Sequence, residues 1–271
     1  MTAVTPDDEA AIEATKAPLM EHLVELRKRL IWSALFFLIA FLICFYFSKE
    51  IYAFLTAPLA HALAGQPHQH LIYTGLTEGF FTYVKVGMFA GLCLGFPFIA
   101  AQIWMFVAPG LYRHERNAFL PFLMATPVLF LTGAAFVYYV MLPFAIRFFV
   151  SYQTPGGNGA LPIELQARVS EYLDFIMTLI VAFGLCFQLP VLLSLLGRVG
   201  IISAAQLRSL RRYAIVGVFA VSAIMTPPDV FSMLSLAIPL VGLYEISIIC
   251  VALIERQRAK EDAARASADK T

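Results

Sequence analysis

The sequence predicts an all-α, polytopic membrane protein of six transmembrane helices, with both termini cytoplasmic and the last two helices short. Three observations carry this. Of the 271 residues, 60% are hydrophobic and only 14% are charged, whereas a soluble domain carries about a quarter charged residues. Mean hydropathy is +0.79, and at about 20 apolar residues per crossing the chain has room for roughly five to seven crossings. The third is the placement of Lys and Arg, taken up below. Together they exclude a soluble enzyme, a secreted disulfide scaffold and a disordered tail. A net charge of +1 points to no nucleic-acid partner.

Residues 1–29 form the cytoplasmic N-terminal segment. Asp7, Asp8, Glu9 and Glu13 stand where a cleavable signal peptide would be basic, so none is expected. Leu19, Leu23, Leu26 and Leu30 recur at helical spacing, which predicts an amphipathic helix at the inner membrane surface. Glu21 and Glu25 share another face of it. Glu25 lies four residues before Arg29, so it is either half of an intrahelical ion pair or a functional carboxylate. Arg27, Lys28 and Arg29 suit anionic lipid head groups.

The transmembrane domain, residues 30–254, holds six apolar stretches at 30–48, 84–108, 118–142, 172–197, 214–226 and 230–254. Gly, Pro and aromatic residues between Pro97 and Pro190 predict kinked helices. With the N-terminus inside, 15 of the 19 Lys and Arg are cytoplasmic, and only Lys49, Lys85, Arg147 and Arg168 lie outside. That bias sets the orientation. Ala214–Met225 spans about 18 Å as a helix, short of a hydrocarbon core of about 30 Å. The last stretch runs from Val230 to the interruption at Glu245. Thr226-Pro227-Pro228-Asp229 makes a tight outer turn, with Asp229 placed to cap the last helix. The tail, 255–271, reads as a frayed helix.

Outer loops 49–83 and 143–171 are long enough to form an ordered cap, whereas the cytoplasmic loops are short and charged. In 106–117, Pro109-Gly110 stops the second helix and Glu115 is the one acid. That carboxylate could grip a guanidinium in a bidentate pair, or remain a solvated loop residue paired with Arg113 or Arg116. Within the membrane, Gln188 needs a partner and should face other helices or a wetted cavity. Glu245 reads as a snorkelling interfacial glutamate.

Cys44, Cys93, Cys186 and Cys250 lie in apolar runs and read as buried small hydrophobes. His68 and His70 have no third ligand nearby. There is no P-loop, GxSxG, HExxH or dinucleotide motif, so neither an enzyme nor a cofactor is expected.

The chain resembles the TatC family, the multispan receptor subunit of the twin-arginine protein translocase. The resemblance rests on His22-Leu23-Val24-Glu25-Leu26-Arg27-Lys28-Arg29 and on Phe106 to Arg116 (FVAPGLYRHER). Ala182-Phe183-Gly184 leading to Pro190, Thr226 to Ser232 (TPPDVFS) and Ala237-Ile238-Pro239 add to it. It implies a receptor for the twin-arginine signal peptides of folded precursors. Such receptors lie in the bacterial inner membrane and export with the proton-motive force. Single-span subunits of the TatA/TatB type and self-association in the complex are implied too.

Carried over by position, Glu25 and Glu115 would read the arginine pair, framed by Leu26, Arg27, Leu111, Tyr112, Arg113, His114 and Arg116. Pro58 and Asp229 would shape the outer cap, and partner subunits would dock near Thr226. Gln188 departs from the family, where a glutamate is common; an amide hydrogen-bonds but does not titrate. A transporter of small solutes is the rival reading, yet it expects ligands at the midplane, which here is nearly empty of charge.

Overall fold

The computed structural model describes residues 6–64, 70–107, 116–154, 161, 163, 165–225 and 230–268. Ten α-helices account for nearly all of them: α1 (Pro6–Tyr46), α2 (Ser48–Ala62), α3 (Glu78–Val107), α4 (Arg116–Phe136), α5 (Leu142–Val150), α6 (Val169–Cys186), α7 (Leu189–Val199), α8 (Ala204–Ser209), α9 (Arg211–Met225) and α10 (Val230–Ala268). A π-turn, Val137–Met141, joins α4 to α5. Among the described residues five helical stretches are long and apolar enough to cross a membrane: His22–Tyr46, Glu78–Phe106, Phe122–Val150, Val169–Val199 and Met233–Lys260. The expected fifth stretch is helical, but α9 has only 15 residues, about 22 Å at 1.5 Å per residue.

Two expectations are revised. The segment 19–30 is helical as expected but is not a separate surface helix: it lies within α1, which runs from Pro6 on to Tyr46. No Gly or Pro falls between Leu19 and Tyr46 to stop it. Its leucine stripe faces away from α3, with Leu23, Leu26 and Leu30 all exposed. Pro58, expected in a loop, lies inside α2.

Small residues decide how the helices approach, as is usual where lipid removes the hydrophobic drive between them. Gly87, Gly91 and Gly95 form a flat stripe on α3 against which α1 lies. A Cβ on Gly91 would come within 2.7 Å of the Phe41 Cα. Gly133 and Gly184 do the same between α4 and α6, where the buried rings of Phe130 and Phe183 fill the space.

The main core is built from Leu55 and Leu59 of α2, Val86 of α3, Leu142 and Ile146 of α5, Leu173 and Ile176 of α6, and Leu236 and Leu240 of α10. Backbone bridges pair Ile72 with Arg168 and Thr154 with Ile163. Glu78 clasps two segments together: its carboxylate accepts the Thr74 N–H at 2.9 Å, the Gly75 N–H at 3.1 Å and the Ser170 hydroxyl at 2.6 Å. Arg168 adds a hydrogen bond to the Thr74 hydroxyl at 2.6 Å and lies 3.7 Å from Glu78.

A second, smaller cluster is formed by Ala204, Leu207, Tyr244, Ile248 and Val251. There α10 holds the 198–211 connection. Glu255 accepts the Ala204 N–H at 2.9 Å, Tyr244 donates to the Leu207 carbonyl at 2.8 Å, and Arg211 pairs with Glu245 at 2.7 Å. Gly200, at φ +82°, ends α7 in the left-handed conformation that glycine adopts without strain.

Candidate functional site

Where α1 enters its packing against α3, three residues of the first motif turn inward. The His22 ring stacks on Phe106 with centroids 4.3 Å apart. Glu25 Oε1 accepts a hydrogen bond from Arg29 Nη2 at 3.2 Å, and the two side chains keep only 30% and 28% exposure. Arg29 Nη1 reaches across to α3, to Gln102 Oε1 at 3.2 Å and Met105 Sδ at 3.5 Å. The helical period explains the grouping: positions 22, 25 and 29 fall on one face, which rests on the end of α3. A carboxylate in that half-buried setting, beside an aromatic ring, is equipped to bind a guanidinium. It holds one already.

Leu26 and Arg27 are exposed. Leu111, Tyr112, Arg113, His114 and Glu115 lie outside the described residues, as do Thr226, Asp229 and His68. Arg116 begins α4, and its side chain is likewise outside the description. The chain leaves α3 at Val107, directly after the ring stacked on His22, which is one helical turn from Glu25. Among the described residues no group of three or more His, Cys, Asp or Glu is placed to hold a metal ion.

The family model described as Sec-independent protein translocase protein (TatC) matches residues 21–239. The chain belongs to the TatC family. It is 48% identical to the Sec-independent protein translocase protein TatC of Magnetococcus marinus, over 92% of this chain and 89% of that one. Identity to the TatC of Escherichia coli K12 is 39%, over 88% of this chain and 89% of the relative. Its fold is similar to that in a crystal structure titled Twin Arginine Translocase Receptor TatC, with a TM-score of 0.73 and 39% identity, covering 86% of this chain and 99% of the other. This is a membrane protein of a protein-translocase family, and nothing favours solute transport.

In this TatC chain, Gln188 occupies the break between α6 and α7. Its amide Nε2 donates to the Thr126 carbonyl at 3.0 Å and to the Gly184 carbonyl at 3.4 Å. The Thr126 hydroxyl in turn accepts from Trp104 Nε1 at 3.0 Å. Gln188 thus ties the helix break to α4, the first of the two settings foreseen for it, while its shielded Oε1 has no partner among the described residues.

Pro58 has a specific consequence. Lacking an N–H, it leaves the Phe54 carbonyl, four residues back, without its helical partner. Tyr138 of the π-turn fills the vacancy, its hydroxyl donating to Phe54 at 2.8 Å while the two rings stack at 4.3 Å. Tyr172 of α6 donates to the neighbouring Leu55 carbonyl at 3.1 Å. The proline docks α2 onto the bundle.

Sequence reasoning missed the ion pair between α3 and α6: Lys85 Nζ lies 3.0 and 2.8 Å from the two carboxylate oxygens of Asp174. A signal existed. Each residue interrupts an apolar run about two turns or less inside the outer end of its helix, estimated at 1.5 Å per residue, and the charges are opposite.

Proposed function

We propose that this chain is the signal-peptide receptor and core of a twin-arginine translocase in the bacterial inner membrane. It binds the twin-arginine signal peptides of folded precursors with Glu25 and Glu115, and export draws on the proton-motive force. The observation that carries the reading is the guanidinium already seated on Glu25 at 3.2 Å, within the motif that the chain shares with its family. Carboxylate and guanidinium match in planar geometry, whereas a lysine ammonium offers a single point charge. Leu26, Arg27, Leu111, Tyr112, Arg113, His114 and Arg116 frame the site.

Six crossings with both termini cytoplasmic complete the proposal. What supports this is the 15-to-four placement of Lys and Arg across the two sides, with α9 as the short crossing. Bilayer thinning or partner helices then compensate for its length. Single-span subunits of the TatA/TatB type dock along α9 and α10 near Thr226, where α9 buries only Ser222 among its described residues.

Binding of a twin-arginine peptide to the purified protein in detergent tests the reading, with a twin-lysine peptide as control and Glu25→Ala and Glu115→Ala beside it. The expected result is preference for the arginine pair, lost in both variants. Equal binding of both peptides, unaltered by either substitution, would remove the acidic site.

A further inference from the structure

We infer that Arg29 is an internal competitor for the Glu25 carboxylate, a resident guanidinium that an incoming arginine displaces and a lysine does not. The inference rests on Glu25 being the peptide-binding carboxylate proposed above.

Its attachment to Glu25 is weak for an ion pair. Arg29 Nη2 makes one hydrogen bond, to Oε1, at 3.2 Å, and among the described residues nothing bonds to Oε2. Arg211 and Glu245 stand at 2.7 Å, and Lys85 and Asp174 at 2.8 Å. Charge-assisted bonds commonly close to about 2.7–2.9 Å, so the Glu25 contact, at 3.2 Å, is longer than that range.

Release is also cushioned. The Nη1 nitrogen is already placed on Gln102 Oε1 and Met105 Sδ of α3. A guanidinium that leaves Glu25 therefore keeps a polar anchor instead of being stranded at a half-buried position. One helical turn along the same helix, it also remains close enough to return, at the high effective concentration of a tethered ligand.

Competition of this kind sets a threshold: the resident guanidinium weakens every ligand of the carboxylate by the same factor, and the ligand that gains least falls below useful binding. A peptide arginine can engage both carboxylate oxygens and so gains more than the single bond it displaces. A lysine exchanges one point contact for another and gains nothing. Arg29 would then exclude ammonium ligands from a site whose negative charge alone would accept them.

The test is binding of twin-arginine and twin-lysine signal peptides to the purified full-length chain in detergent, for wild type, Arg29→Gln, Arg29→Lys and Glu25→Gln. In Arg29→Gln the twin-lysine peptide should bind about tenfold tighter than to wild type, the scale of one charge-assisted bond removed from competition. The twin-arginine peptide should gain by a similar factor, because a common competitor weakens both peptides alike. Arg29→Lys, which keeps the charge and decides the matter if the glutamine variant does not fold, should raise twin-lysine affinity in the same direction by a smaller factor. Unchanged affinities in both Arg29 variants, or equal weakening for both peptides, would make Arg29 a structural strut and overturn the inference. If Glu25→Gln leaves twin-arginine binding intact, the underlying site reading fails instead. If Glu25→Gln abolishes discrimination and the Arg29 variants leave both affinities unchanged, only the competitor fails.

Discussion

Two glutamates in this chain stand at opposite ends of the bundle and are treated in opposite ways. Glu78, in the clasp with Thr74, Gly75 and Ser170, accepts two backbone N–H groups and a hydroxyl at 2.6–3.1 Å, with Arg168 3.7 Å away. Glu25, within α1, accepts one bond among the described residues, at 3.2 Å from a neighbour on its own helix. A carboxylate whose lone pairs are filled by fixed partners holds a structure together and has no capacity left for a ligand. One that holds a single partner among the described residues and stays partly open to solvent contributes little to the fold and keeps capacity for a ligand. The contrast separates a structural acid from a binding acid by their hydrogen-bond inventories alone.

The most severe way to break the contrast is Gly91→Leu. The added side chain meets the Phe41 backbone, which cannot give way as a flexible side chain would. It should cost about 3 kcal/mol or more, lift α1 from α3, and abolish peptide binding while the Glu78 clasp persists; thermal unfolding and peptide titration on the same sample check both. Next, Glu78→Ala should lower the melting temperature by several degrees and leave peptide affinity of the folded protein unaltered. Glu25→Gln is its mirror image. Peptide affinity should fall about tenfold or more, with melting nearly unchanged because an i,i+4 pair is worth only about 0.3–0.5 kcal/mol. If Glu25→Gln instead melts the protein as Glu78→Ala does, the distinction between the two acids collapses.

Two milder substitutions sharpen the structural side of the comparison. Tyr138→Phe removes the donor to the Phe54 carbonyl exposed by Pro58, and should cost about 1 kcal/mol by thermal unfolding. Gln188→Leu gives up the bond to Thr126 within the membrane, where such bonds average about 0.6 kcal/mol, so its loss in melting should be the smallest of the set.

Much of the helical plan was legible because it depends on local information. The apolar runs located α3, α6 and α10, and the Gly, Pro and aromatic content between Pro97 and Pro190 predicted kinked helices there, as the break between α6 and α7 shows. The choice left open for Glu25 was also correctly drawn, since the spacing to Arg29 is a property of the helix itself. The leucine stripe misled. In water, Leu19, Leu23, Leu26 and Leu30 would mark a buried face, but in a membrane protein lipid satisfies an apolar stripe as well as protein does. The polar residues His22, Glu25 and Arg29 are the ones turned toward α3.

By itself, then, the sequence determined the membrane class, the helical segments, the signature motifs and the spacing of Glu25 to Arg29. All of these follow from composition and from periods of a few residues. Only the tertiary structure decided that Lys85 meets Asp174 across 89 positions, that Ser170 reaches Glu78 across 92, and that Gln102 backs Arg29 across 73. It also decided that Tyr138 serves the carbonyl vacated by Pro58. The reason is geometric. A helix repeats every 3.6 residues whatever surrounds it, but the face it turns to each neighbour is set by how two side-chain surfaces fit, and here glycines at the crossings set that fit.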